Sequence, residues 1–384
     1  MRDKLPDHEA LILPLHVMLA MVAGGALIAA LITPAVRRFA LQLGLVDHPA
    51  AGAYKTHLKP MPYGGGIAIY CGAAAGILAL IGLALVVDPL MSPGTFFALV
   101  SGLESAHLVQ TLALFLCGSA VFLVGLMDDW VGLSPLVRLI VQLMAASALV
   151  WGVPGFSLPL TPTVPLLAPL STIVWIVAVT NAFNFLDNMD GLAAGMSVIV
   201  FTSIGVMALW TSHLGMMVLS LTLAGACAGF LIFNFPRASI FMGDAGGLFL
   251  GFAAASMTAL LSHHLEVSAA AEWPRLLAPL AVLSVAVYDQ LTVVASRLLR
   301  GVPPWLGDTN HVSHRLVRLG LSRRNAVLVI HGMVALTGIL ALGVLTLAPA
   351  DAGKLMLGGA VAVTLLGAVD YAAARRGVRK VGGK

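Results

Sequence analysis

Charge is scarce in this sequence. Only 10% of residues are Asp, Glu, Lys or Arg, against 59% that are hydrophobic. Soluble globular domains carry roughly a quarter charged residues, so an ordinary soluble fold is excluded. Polar stretches are scarce as well. None is long enough to form a separate soluble domain, so residues 1–384 read as a single transmembrane domain, closed by a basic cytoplasmic tail over 374–384. Cysteine is rare too. Cys71, Cys117 and Cys227 all fall inside apolar segments, where they read as buried small hydrophobes, and no disulfide framework is visible. Low-complexity tracts and internal repeats are absent. The first ten residues lack a clean positive region, because Arg2 and Lys4 are mixed with Asp3, Asp7 and Glu9. The apolar run that follows therefore reads as a retained helix and not a cleaved signal peptide.

What is present is apolar sequence in long runs, with a mean hydropathy of +0.99. A membrane span needs roughly 20 apolar residues. Spans are expected near 11–34, 64–87, 108–127, 135–152, 169–186, 191–210, 216–235, 246–262, 274–299, 325–347 and 354–373. The fold class is thus an all-α polytopic membrane protein of about eleven helices, with its termini on opposite sides. The 40 glycines suit helices that pack closely. All but four of the 21 basic residues fall after odd-numbered helices; Arg2, Lys4, Arg275 and Lys354 are the exceptions. The positive-inside rule makes that side cytoplasmic, which puts the N-terminus outside and the C-terminus inside.

The few carboxylates follow the same parity. Asp128 and Asp129 follow the third span, Asp187 and Asp190 the fifth, Asp244 the seventh, and His311 and His314 the ninth. Each group is therefore expected at the cytoplasmic surface, where clustered acids point to a metal-dependent site. Asp128 and Asp129 lie in GLMDDWVGLSP. Two carboxylates at a helix C-terminus oppose its dipole, and at about 4 Å they repel by roughly 4 kcal/mol at an effective dielectric of 20. A cation or a proton relieves both costs. The plainer reading is a wet interfacial pair before a turn, with Ser134 as N-cap and Pro135 opening the next helix.

In NAFNFLDNMDG (181–191), amide and carboxylate oxygens at close spacing suit a hard cation such as Mg²⁺. Asp190 before Gly191 equally suits an N-cap. In NFPRASIFMGDAGG (234–247), Asp244 suits an N-cap or a ligand, and Phe241 suits an interface anchor or a stacking surface for a base. The segment DTNHVSHRLVRLGLSRR (308–324) brings two histidines and four arginines together, which suits a diphosphate. Ordinary cytoplasmic charge held to anionic lipid explains it as well. Two histidines without a cysteine make a poor zinc site there. Asp289 lies inside the ninth span, where an ionisable group is a functional candidate by default.

Taken in order, GLVDHP…YKTHLKPMPYGGG, GLMDDWVGLSP, NAFNFLDNMDGLAAG, FNFPRASIFMGDAGGLFLGF and HVSHRL resemble the polyprenyl-phosphate N-acetylhexosamine-1-phosphate transferase family over nearly the whole chain. The resemblance implies an enzyme of the bacterial cytoplasmic (inner) membrane, with its active site on the cytoplasmic face. It implies transfer of a sugar-1-phosphate from a UDP-N-acetylhexosamine to undecaprenyl phosphate, with release of UMP. It also implies Mg²⁺, for which Mn²⁺ is an expected substitute. By resemblance Asp128, Asp129, His311 and His314 are catalytic. Asp244, with Asn184 and Asp187, holds the metal. Lys59, Asp190, Asn234, Phe241 and Arg315 contact substrate. The partners implied are the two substrates and the bilayer, with no nucleic acid, and a homodimer is a state the resemblance allows.

The sequence departs from the family's usual pattern in four places. The first loop reads Ala-Ala-Gly-Ala-Tyr-Lys (50–55) where paired basic residues are usual. Asn188 stands for a usual Gly, Gly247 for a usual Ser, and Ser313 for a usual His. Lack of three consecutive histidines favours the N-acetylglucosamine branch over the muramoyl-pentapeptide branch, with a role in initiating a cell-envelope polysaccharide.

An ion or solute transporter is the alternative that the same helix count allows. Transporters set their sites near the bilayer midplane at repeat interfaces, whereas the acids here gather at one surface and no repeat is evident.

Overall fold

The computed structural model describes residues 8–47, 60–90, 105–158, 166–265, 273–347 and 351–355. The chain folds as α1 (His8–Leu43), β1 (Val46–Asp47), β2 (Met61–Pro62), α2 (Gly65–Leu90), α3 (Ser105–Val131), α4 (Pro135–Gly152), α5 (Leu167–Leu186), α6 (Leu192–Trp210), α7 (Leu214–Asn234), α8 (Gly243–His264), α9 (Trp273–Leu299), α10 (Val312–Arg318) and α11 (Arg323–Thr346). Among the described residues, ten helices are long and apolar enough to cross a membrane: α1 to α9 and α11. The protein is an all-α, multi-pass membrane protein. The expected span at 354–373 falls almost wholly outside the described residues, as do the tail over 374–384 and Lys59.

The sequence ends the first helix near residue 34, at Pro34. The structure carries α1 on to Leu43. A proline inside a helix leaves the carbonyl four residues back, here that of Ala30, without its usual donor; next to it the Thr33 hydroxyl donates to the Ala29 carbonyl at 2.6 Å. The extension moves Arg37 onto the helix, where Nε donates to the Ser239 carbonyl at 3.0 Å. After α1, β1 and β2 pair antiparallel, with Val46 opposite Pro62 and Asp47 opposite Met61. Ser134 caps α4 as its position suggests. It sits in extended backbone and accepts from the Val137 N–H, and Pro135 opens the helix.

The bundle is built around α8, whose membrane span is buried throughout. α2, α3, α5, α6 and α9 surround it, and α7 packs against α1 and α6 on the far side. A helix can be enclosed this way only if its neighbours' backbones come close, which small residues permit. At Gly125 on α3, an added Cβ would lie 2.7 Å from the Ala245 Cα and the Asp244 carbonyl on α8. That contact brings the C-terminal end of α3 against the first turn of α8.

Candidate active site

The closeness of α3 and α8 sets the site. The first backbone N–H groups of a helix have no partner inside it. In α8 they are satisfied from another element: Asp129 accepts from the Asp244 N–H at 2.7 Å and from the Ala245 N–H at 3.1 Å. Asp129 thus caps α8, at the helix end where a negative charge is favoured. Gly243 makes room for it. Its φ is +79°, and a Cβ there would lie 2.4 Å from Asp129 Oδ2. Asp244 therefore sits in the first turn of α8 and not at its N-cap.

Asp128 points the other way. It accepts from the Leu133 N–H at 2.6 Å and pairs with Arg138 Nη1 at 2.7 Å. The same Arg138 nitrogen contacts Asp244 Oδ2, and Asn184 Nδ2 donates to Asp244 Oδ1 at 2.8 Å. One guanidinium thus sits between two of the predicted carboxylates and offsets their repulsion. In the sequence Arg138 counts only as one of the cytoplasmic orientation charges. Ten residues and a turn separate it from Asp128, so no helical spacing marks the pair.

Beyond Asp244 lies a cavity of about 690 Å³. Its lining includes acidic and amide side chains, Asp47, Asn184, Asp187, Asn188, Asp190, Asp244 and Asp308. It also includes Arg237, Arg297, Arg323 and Arg324 with His311 and His314. Tyr63 and Phe241 belong to the same lining, with ring centroids 6.2 Å apart. Phe241 is fixed by its backbone, since its N–H donates to the Pro62 carbonyl at 2.8 Å and its carbonyl accepts from the Gly65 N–H at 2.9 Å.

Two predicted substrate residues brace the wall. Asn234 is buried, accepting from the Gly191 N–H at 2.8 Å and donating to the Ile240 carbonyl at 2.9 Å. Asp190 accepts from the Ala238 N–H at 3.0 Å. It is not the N-cap of α6; Gly191, at φ +74°, takes that position. Arg315 is turned to α9, where Nη2 donates to Thr292 Oγ1 at 2.9 Å. Arg297, inside the α9 span, is 1% exposed, lies 5.2 Å over the Phe185 ring and donates to the Pro304 carbonyl. A charge inside a span was its available signal.

Asp289, also inside the α9 span, holds the histidine turn. It is 1% exposed. Its carboxylate bonds His311 Nδ1 at 2.7 Å and accepts from the Val312 N–H at 2.7 Å. Because Nδ1 is taken, His311 meets any ligand through Nε2. A second tie joins two of the sequence's departures: the Ser313 hydroxyl donates to Asn188 Oδ1 at 2.6 Å, and Asn188 Nδ2 donates to the Phe185 carbonyl at 2.8 Å.

Asp187 lies buried near other carboxylates. Burial, then the charges of Asp244 and Asp190, push its carboxyl up to about 7. His314 is pushed down to about 4 by burial and by its His311, Arg318 and Arg323 neighbours, so it is a neutral hydrogen-bonding group at pH 7. The Asp308 carboxyl is raised by burial. The Asn310 N–H, Arg297 and Arg300 outweigh that and hold it below its usual range. The oxygen donors of Asp244, Asp187, Asn184 and Asp128 make a hard-cation set. Asn184 suits that role because its amide nitrogen faces Asp244, which leaves its oxygen as an acceptor.

An integral membrane protein with an acid- and arginine-walled cavity at one end of a helix bundle is the class that fold and site define. Residues 111–262 match the family model described as glycosyl transferase family 4. A Bacillus subtilis protein named probable undecaprenyl-phosphate N-acetylglucosaminyl 1-phosphate transferase is 36% identical over 309 residues, covering 78% of this chain and 77% of its own. A Mycolicibacterium smegmatis decaprenyl-phosphate N-acetylglucosaminephosphotransferase is 33% identical, covering 92% of this chain and 88% of its own. A Synechococcus phospho-N-acetylmuramoyl-pentapeptide-transferase is 36% identical over 42% of this chain and 52% of its own. The chain belongs to the polyprenyl-phosphate N-acetylhexosamine-1-phosphate transferases of glycosyl transferase family 4.

Proposed function

We propose that this protein transfers N-acetylglucosamine-1-phosphate from its UDP-sugar to undecaprenyl phosphate and releases UMP. The reaction is placed at the cytoplasmic face of the bacterial inner membrane, as the first step of a cell-envelope polysaccharide. The observation that carries this reading is the Asp128–Arg138–Asp244–Asn184 constellation, whose Asp244 and Asn184 line a cavity that four arginines also line. Such a cavity accepts an anionic diphosphate and a cation together. The two long matches to N-acetylglucosamine transferases, against a match over 42% of the chain to the muramoyl-pentapeptide enzyme, favour the amino sugar.

Phosphoryl transfer is largely positioning and charge neutralisation. An oxygen of the lipid phosphate attacks the sugar-proximal phosphorus. The bond from that phosphorus to the bridging oxygen breaks, and UMP departs with the electron pair. Mg²⁺, when held by Asp244 with Asn184 and Asp187, supplies neutralisation of the diphosphate oxygens. Asp128 and Arg138 orient the acceptor phosphate. Asp129 positions Asp244 by capping α8. His311, through Nε2, and Arg297, Arg323 and Arg324 bind the donor's anionic groups. The base stacks on Phe241.

The test is UMP release and lipid product by mass spectrometry from purified protein, undecaprenyl phosphate, Mg²⁺ and a panel of UDP-N-acetylhexosamines. Lipid-linked N-acetylglucosamine diphosphate, lost with chelator and in Asp128→Asn and Asp244→Asn, supports the proposal. Product from a different donor, or none from folded protein, overturns it. Sugar phosphate trapped on the protein without lipid would replace direct attack by a covalent route. A homodimer belongs to the same proposal, and mass photometry in nanodiscs tests it.

A further inference from the structure

At the end of the bundle opposite the carboxylate cavity, three histidines from separate elements meet. His107 lies in the first turn of α3, His213 in the turn between α6 and α7, and His264 at the end of α8. α8 has 22 residues, so this end lies about 30 Å from Asp244 at 1.5 Å per residue. We propose that His107, His213 and His264 bind a transition-metal ion of the zinc class, which ties α3, α8 and the α6–α7 turn together away from the reaction centre.

Geometry and chemistry carry this. One ring nitrogen from each histidine lies within 4.8 Å of the others. With metal–nitrogen bonds of about 2.0–2.1 Å and tetrahedral angles, coordinated imidazole centroids lie about 5 Å apart. His107–His264 and His213–His264 are both at 5.3 Å, nearly perpendicular. His107 and His213 are stacked at 4.1 Å, so one of these two rings must tilt outward to complete the set. His107 is 9% exposed and His213 is fully buried. Imidazole must be neutral to ligate, and burial with the neighbouring His107 and His264 pushes His213 down to about 3.

The fourth position has a candidate. His213 Nδ1 accepts from the Met216 N–H at 3.1 Å, so Nε2 carries the ring proton and meets Gln110 Oε1 at 3.0 Å. Metal capture at Nε2 moves that proton to Nδ1 and releases the Met216 N–H. It also turns Gln110 Oε1 from acceptor of a proton to a neighbour of the metal. Gln110 Nε2 stays anchored on the Pro154 carbonyl at 2.8 Å.

The experiment uses untagged full-length protein in detergent, stripped with chelator and re-equilibrated in excess Mg²⁺ to occupy the carboxylate cavity. Co²⁺ is then added, followed by Zn²⁺. The expected result is one equivalent of Co²⁺ with the intense visible bands of a tetrahedral nitrogen site, abolished by one equivalent of Zn²⁺, and a raised thermal midpoint. His107→Phe keeps a ring in the stack and should lose both bands and midpoint shift. Zinc-edge absorption on the wild type counts the imidazoles directly, whether or not a variant folds. Three support the site. Fewer than three, no stoichiometric metal, or unchanged binding in His107→Phe overturns it.

Discussion

Arg138 Nη1 touches carboxylates from two helices, Asp128 on α3 and Asp244 on α8. Removing its charge leaves these groups facing each other without a counterion. Arg138→Gln is therefore expected to lower the thermal midpoint in chelator, and added Mg²⁺ should restore much of the loss; scanning calorimetry in both buffers reads this. Asp289 acts through His311. Asp289→Asn keeps the shape but cannot hold the same imidazole proton. Loss of such an orienting partner costs about 10–100-fold in activity, expected here in kcat with an altered pH profile. A purely structural role would lower the melting temperature and leave the profile unmoved. Asp187 sets a pH dependence. Its carboxyl is raised to about 7, so the proton competes with a cation below that value. The Mg²⁺ concentration for half-maximal rate should rise as pH falls through about 7, by up to about tenfold per unit, and level off above it. In metal-free protein the sign for stability is the reverse of a salt-bridged carboxylate: the strained charge costs stability as pH rises from the usual carboxylate range, about 4, towards 7. Asp187→Asn should weaken both trends.

At the scale of elements, the site depends on two inter-helix joints. The first is the cap of α8 by Asp129 beside Gly243. Gly243→Ala adds left-handed strain and places a methyl group 2.4 Å from Asp129 Oδ2, so transfer should be lost and stability lowered. Gly132→Ala is the control. Gly132 is also left-handed, at φ +68°, with nothing within 4 Å of its added Cβ, so it should cost only about 1–2 kcal/mol and retain activity. The second joint is Ser313 to Asn188, which ties α10 to the α5–α6 turn. Both residues depart from the family's usual His and Gly, and their contact makes one departure the partner of the other. In a double-mutant cycle, Asn188→Gly and Ser313→His should each reduce transfer and the pair should recover part of it. Additive losses would mean the residues are uncoupled. Sequence reading found each departure but not the joint, because 125 residues separate them. The same limit hid Asp289 and His311, 22 residues apart. Arg315, one residue beyond His314, lies about 100° further round a helix, and there it meets Thr292.

For the whole molecule, orientation is the main expectation still to be measured. Basic residues predict that the 300–323 segment faces the cytoplasm and the α6–α7 turn faces outward. In intact cells, a membrane-impermeant maleimide should label Ser212→Cys and spare Thr309→Cys until the membrane is opened. The reverse pattern would invert the topology and place the cavity outside. The ten spanning helices α1 to α9 and α11 were legible because apolar length alone marks a span. Their packing was not legible: α7 and α8 are as apolar as their neighbours, and hydropathy says nothing about which helix is enclosed.

The sequence by itself determined the membrane class, the ten spanning helices α1 to α9 and α11 in order, and the motif ends that carry acids and histidines. These follow from local properties: apolar length, helix punctuation and the cost of charge in lipid. Tertiary structure alone decided which of those acids does what. Asp129 caps a helix while Asp128 pairs with Arg138, and Asp289 holds His311. It also brought three histidines to the far end of the bundle. Those assignments depend on distances between segments far apart in the chain, which only the packing of α3, α5, α8 and α9 sets.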